Sequence, residues 1–140
     1  MGVTITDRQR LQRVDPRWVA EVAEKALRYL GLQDRELSVL LVSDDEITEL
    51  NRRWLQRDRP TNVIAFPMDG PQDFVLGDVV ISTETAEREA AERGVGLEEH
   101  LALLLVHGIL HLLGYDHERG GEEELAMRAK EEELLQAILR

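Results

Sequence analysis

The sequence predicts an α/β chain of the α+β kind: a single domain over residues 1–140, with a mixed, roughly four-stranded sheet packed with about five helices. Three observations predict it. Short apolar runs alternate with segments whose apolar residues recur at helical spacing. Helix-capping residues open those segments, and glycines close several of them. No repeat, low-complexity tract or linker divides the chain, and 140 residues are enough for one core of its own.

The elements follow in order. Val3 to Thr6 reads as a short first strand. Asp15-Pro16 reads as an N-cap and first helical position, opening a helix to Leu30 that Gly31 stops. Leu37 to Val42 is a strand by its continuous apolar run. Ser43-Asp44-Asp45-Glu46 supplies a cap and early acids for a helix to about Trp54. Gln56 to Pro60 is loop, Asn62 to Phe66 strand, and Pro67 to Asp73 a loop rich in Pro and Gly. Leu76 to Ile81 is a strand in which Gly77 either weakens the pairing or admits a close neighbour. Ser82-Thr-Glu-Thr caps a helix through Arg93, broken by Gly94 and Gly96. Leu97 to Leu113 is a buried helix, and Gly120-Gly121 precedes a last helix to Leu139.

Composition narrows the class. Cysteine is absent, so no disulfide can form, which suits a reducing compartment. The start, Met1-Gly-Val-Thr-Ile-Thr-Asp7, lacks a signal-peptide pattern. No run approaches the ~20 apolar residues of a membrane span. The expectation is a soluble cytoplasmic protein without a membrane partner.

The net charge of −11, from 17 basic and 28 acidic residues, on its face argues against nucleic acid. Its distribution matters more. Glu122, Glu123, Glu124, Glu131, Glu132 and Glu133 read as a solvated helix face. Arg8, Arg10, Arg13 and Arg17 read as ordinary charged surface. Arg52, Arg53, Arg57 and Arg59 gather beside Trp54 and before a strand, where they can form a local anion-binding patch.

Three of the four histidines share one window, His107-Gly-Ile-Leu-His111-Leu-Leu-Gly114-Tyr-Asp-His117. His107 and His111 lie one turn apart on one helix face. Their imidazoles can share one ion at zinc–nitrogen distances of about 2.0–2.1 Å. In a continuous helix His117 would lie about 15 Å farther along the axis than His107. Gly114 accepts the left-handed conformation that ends helices, so the chain can turn back and return His117 to the ion. The metal site is therefore expected at the end of a helix, with His107, His111 and His117 as ligands to one zinc ion. Imidazoles also suit nickel, copper and iron, so the spacing does not fix the metal. Three nitrogen ligands leave a fourth position open, as in catalytic zinc sites.

In the zinc peptidase signature H-E-x-x-H, the glutamate after the first histidine is the general base. Here that position is Gly108, which argues against peptide hydrolysis by the usual route. A metal would still lower the pKa of a bound water and polarise a substrate oxygen, with a base from Asp116 or from the substrate itself. Phosphate esters fit, because their transfer depends mainly on positioning and charge stabilisation.

The histidine window resembles the signature of the YbeY-type endoribonucleases, also called rRNA maturation factors. Leu50-Asn51 followed by Asp58-Arg-Pro-Thr-Asn-Val-Ile-Ala-Phe-Pro67 resembles that family's L-N, then D-x-P-T-[DN]-V-[LI]-[SA]-F-P segment. Leu76-Gly-Asp-Val-Val-Ile81 resembles its L-G-D-I-x-I strand. The likeness runs from Leu37 to the end. It implies a mixed four-stranded sheet, a zinc ion held by His107, His111 and His117, and cleavage of single-stranded RNA in ribosomal RNA processing. It further implies action near the 3′ end of small-subunit RNA, ribosome quality control, and the small ribosomal subunit as partner. In the family pattern Y-R-x-K-D an arginine follows the aromatic residue; here Leu55 follows Trp54, and Arg57 fills the place of the lysine. Arg53, Arg57 or Arg59 then has to supply the cation, or substrate handling differs.

Other residues carry two readings each. Thr61 and Asn62 either contact phosphate or hold the loop by local hydrogen bonds. Asp116 either supports a ligand histidine or stabilises the turn. Asp78 either reaches the site or caps a strand end. Trp54 either stacks a base or is buried against the sheet. His100, two turns before His107, reads as a partly exposed residue that binds no metal. Two further functions compete with ribonuclease: a metallopeptidase or amidohydrolase lacking the glutamate base, and a non-catalytic ribosome assembly module with a structural metal.

Overall fold

Four strands form one sheet in the order β1-β2-β4-β3, where β1 is Val3–Asp7, β2 Glu36–Val42, β3 Val63–Pro67 and β4 Val75–Ser82. The computed structural model describes residues 2–55, 61–68, 74–115 and 121–139. β1 and β2 pair in parallel, as do β2 and β4, while β3 runs antiparallel to β4 along one edge. Five helices accompany them: α1 (Pro16–Tyr29), α2 (Asp44–Leu55), α3 (Thr83–Arg93), α4 (Leu97–Leu112) and α5 (Gly121–Ile138).

Local chemistry sets the boundaries close to where the sequence puts them. The Asp15 carboxylate accepts from the Arg17 backbone N–H at 3.0 Å, with Pro16 at the first helical position. Ser43 Oγ accepts from the Glu46 N–H at 3.2 Å, and Ser82 Oγ from the Thr85 N–H at 3.3 Å. Each satisfies a donor that a helix start leaves unpaired. β3 begins and ends one residue later than its sequence pattern, at Val63 and Pro67. Pro67, which has no N–H to donate, closes this edge strand opposite Gly77.

The sheet is covered on both faces, which explains why β2 reads as a continuous apolar run. Leu37, Val39 and Leu41 of β2 join Val79 and Ile81 of β4 in the larger core, against buried residues of α1, α4 and α5. Val42 and Val80 face the other way, packing with Ile64 and with Ile47 of α2. α4 is apolar nearly all round because it is buried nearly all round. It meets α3 at a bend of 115°. Among the described residues, no single helix is long and apolar enough to cross a membrane.

Gly77 has a φ of +139°, and a Cβ there would come within 2.2 Å of the Phe66 carbonyl oxygen. Of the two sequence readings, close approach of a neighbour is the one realised.

Candidate metal centre

α4 is pressed against the sheet through Gly108. A Cβ at that position would lie 2.6 Å from Val79 Cγ1 and 3.3 Å from Val63 Cγ2. This contact seats the helix and fixes which way its histidines point. His107 and His111, one turn apart, bring their Nε2 atoms to 3.1 Å, with ring centroids 4.7 Å apart and planes at 70°. His107 is 22 % exposed, so the pair is reachable from solvent without being bathed in it. Two nitrogens sharing one tetrahedral zinc lie about 3.3 Å apart, given bonds of about 2.0–2.1 Å. The facing pair therefore fits a shared divalent ion.

The helix ends as Gly114 predicts. Gly114 takes φ +99°, its N–H donates to the His111 carbonyl at 3.0 Å, and the Tyr115 N–H donates to the Leu110 carbonyl at 3.0 Å. These are the paired bonds of a Schellman motif, which turns a chain off its helix. His117 and Asp116, the expected third ligand and its neighbour, lie outside the described residues. Among the described residues, no three His, Asp or Glu side chains form a group that could hold a metal.

The other imidazole nitrogen of His107 is engaged as well. Its Nδ1 bonds to the Glu131 carboxylate, which reaches in from α5 and is 13 % exposed. A carboxylate can only accept, so Nδ1 carries the hydrogen and the Nε2 lone pair faces His111. The expectation of a solvated acidic face fails most clearly at this residue. Its neighbours Glu132 and Glu133 are exposed, as expected. The sequence does hold a signal. Met127, Leu134 and Ile138 are the buried residues of α5, and Glu131 falls on the same stripe, four after Met127 and three before Leu134.

The comparisons with known proteins agree with this architecture. Residues 4–139 match the family model described as Endoribonuclease YbeY. The chain belongs to the YbeY endoribonuclease family. Among curated proteins named Endoribonuclease YbeY, that of Geobacter sulfurreducens is 50% identical over 96% of this chain and 93% of its own length. That of Aquifex aeolicus is 52% identical over 83% and 79%. The solution structure of TM1509 from Thermotoga maritima superposes with a TM-score of 0.68 at 28% identity, covering 97% of this chain and 88% of the other.

In this YbeY-family chain the remaining described candidates lie at the end of α2 and the start of β3. Arg53 is exposed on the last turn of α2, and Arg57 and Arg59 lie outside the described residues. Leu55, where the family pattern carries arginine, is exposed at the end of the same helix. Thr61 is half-buried just before β3. Asn62 Nδ2 donates to both Glu89 carboxylate oxygens, at 3.2 and 3.3 Å, so a partner on α3 holds the start of β3.

Three expectations are corrected. Trp54 is not buried against the sheet: it is 63 % exposed and meets Phe66 edge-on at 6.5 Å. Asp78 neither reaches the histidines nor caps a strand end. It sits inside β4, level with Ser38 and Phe66, on the opposite face from its neighbour Val79, which packs under α4. His100 is 4 % exposed rather than partly exposed. Arg93 donates to its Nδ1 at 2.9 Å, and its Nε2 faces Glu89 at 2.8 Å.

Proposed function

We propose that this chain is a zinc-dependent endoribonuclease that cuts single-stranded ribosomal RNA, near the 3′ end of the small-subunit RNA, and serves ribosome quality control in the cytoplasm. The observation that carries the reading is the His107–His111 pair, with Nε2 atoms 3.1 Å apart. Its place in a YbeY-family chain supplies the substrate class.

His107, His111 and His117 would hold the ion. When bound, zinc supplies Lewis acidity beside a phosphodiester. The chain's own residues then have to position the strand and balance its charge, which is the larger part of catalysing phosphoryl chemistry. Arg53, on the exposed end of α2, and Arg57 and Arg59 beyond it are the cations offered to the backbone, in place of the arginine missing at Leu55. Thr61, close after them in the sequence, is a further phosphate contact. Asn62 serves by keeping the start of β3 in place through Glu89. Trp54 offers an exposed ring on which an unpaired base can stack, a contact blind to sequence. Asp116 is the candidate to move a proton or support a ligand histidine.

The packing of Gly108 speaks against the peptidase alternative. The position that carries the glutamate base in H-E-x-x-H enzymes is filled here by Val79 and Val63.

The test is cleavage of single-stranded and structured RNA by purified protein, beside His111→Ala. Loss of cleavage in the variant is expected. Equal cleavage by both proteins would indicate a contaminating nuclease and overturn the proposal.

A further inference from the structure

We infer that Glu131 is a positioning residue for the metal centre, so that the C-terminal helix α5 forms part of the site. The inference rests on the zinc reading above, and its test keeps the two separable.

Three observations lead to it. The first is placement. Glu131 occupies the inward stripe of α5, between Met127 and Leu134, which are 1% and 0% exposed. A carboxylate in such a stripe is costly unless hydrogen-bonded, and a leucine there would pack without that cost. A residue that breaks the local pattern in this way needs a compensating role. The second is partnership. The contact Glu131 makes is with Nδ1 of His107, while Lys130 beside it bonds instead to Glu133 at 3.3 Å. The third is consequence. Holding the hydrogen on Nδ1 leaves the Nε2 lone pair pointing at His111, the tautomer and ring angle a metal ligand requires. Carboxylates that accept from the outer nitrogen of a ligand histidine fix its orientation and raise its basicity.

This arrangement ties two distant parts of the chain. The histidines lie on α4, whereas Glu131 lies on α5, seventeen residues after Gly114 in the sequence. Docking of α5 is then coupled to the geometry of the site.

The experiment measures zinc affinity by competition with a chromophoric chelator for the full chain and for Glu131→Ala, Glu131→Gln and Glu132→Ala, with metal-free melting temperatures in parallel. Glu131→Ala should bind zinc about 10–100-fold more weakly. Glu131→Gln, which keeps an acceptor oxygen without the charge, should fall between Glu131→Ala and the wild type. Glu132→Ala, on the exposed face, should match wild type. Zinc affinity of Glu131→Ala within twofold of wild type would overturn the inference. If Glu131→Ala does not fold, Glu131→Gln decides, and wild-type affinity there overturns it equally. A weakening that appears only as a lower melting temperature, with zinc affinity intact, would also overturn it. A wild-type chain that binds no zinc would instead refute the metal reading itself, an outcome distinct from all of these.

Discussion

His100 and His107 stand two turns apart on α4, yet the same side chain does different work at the two places. At His100 both ring nitrogens are engaged by α3, with Arg93 on one and Glu89 on the other, and the ring is almost wholly buried. Arg93 can only donate, so Nδ1 accepts and Nε2 donates to Glu89, which also holds Asn62. Such a ring is a bracket joining α3, α4 and the start of β3. At His107 the protein engages Nδ1 through Glu131 and turns Nε2 toward a second imidazole near the surface. What separates the two is whether another helix engages both ring nitrogens or one nitrogen turns toward a second imidazole near the surface, where the proposed ion would sit.

The largest expected effect breaks the ligand half of this comparison. His107→Ala should lower zinc affinity by more than about a hundredfold, beyond the upper end of losses seen for outer-shell partners, and abolish RNA cleavage. The metal-free melting temperature should fall as well, because Glu131 loses its partner beside the core, and calorimetry beside chelator competition checks both. His100→Ala should cost stability and spare the zinc. Removing the bracket leaves Glu89 and Arg93 short of a partner in a packed site, a loss of about 2–3 kcal/mol in denaturant unfolding. Its zinc affinity should stay within about twofold of wild type, since α3 engages the His100 ring through Arg93 and Glu89; a large loss would erase the distinction.

A smaller effect tests how closely α4 must lie to the sheet for its histidines to point correctly. Gly108→Ala gains helix propensity of about 1 kcal/mol but forces a methyl into Val79, where overpacking costs about 1–3 kcal/mol. A net loss of about 1 kcal/mol is expected in urea unfolding.

The Asp44 cluster is a second bracket, and pH can open it. Its carboxylate accepts from Ser82 Oγ and Thr85 Oγ1, both at 2.6 Å, and pairs with Arg88 at 2.8 Å. Burial acts to raise its pKa, but these hydrogen bonds and the Arg88 charge outweigh it and hold the group below its usual 3.8. Folded Asp44 thus binds its proton less readily than unfolded Asp44. Its stabilisation is present above the ordinary aspartate range and is lost as pH falls through the depressed value. Asp44→Asn should melt lower than wild type at neutral pH, and the gap should narrow in acid; a gap independent of pH would refute this. The smallest effect on folding belongs to Trp54. Trp54→Ala should change stability by no more than about 0.5 kcal/mol, as exposed positions do. It should still weaken single-stranded RNA binding by about 1–3 kcal/mol in a fluorescence titration.

The elements were legible because their signals are local. Asp15-Pro16, Ser43 and Ser82 act on backbone donors within three residues, and Gly114 acts on its own φ. That His107 and His111 share one helix face was legible for the same reason, being a matter of helical spacing. What escaped depends on contacts between elements. Glu131 hides in an acidic run whose other members are exposed, and only its phase against Met127 and Leu134 betrays it. The burial of His100 depends on Glu89 and Arg93 across a 115° bend, which spacing cannot foretell. Trp54 is apolar and next to a strand, yet α2 turns it outward beyond the covered part of the sheet face.

The contact between Gly108 and Val79 also limits what this scaffold can become. A glutamate introduced beside the first histidine would have to displace two β-branched side chains from the sheet before it could meet any substrate. No single exchange at that position converts the centre to amide hydrolysis by the usual base. The restriction is set by a few tenths of a nanometre between a helix and a strand, with no charged group involved.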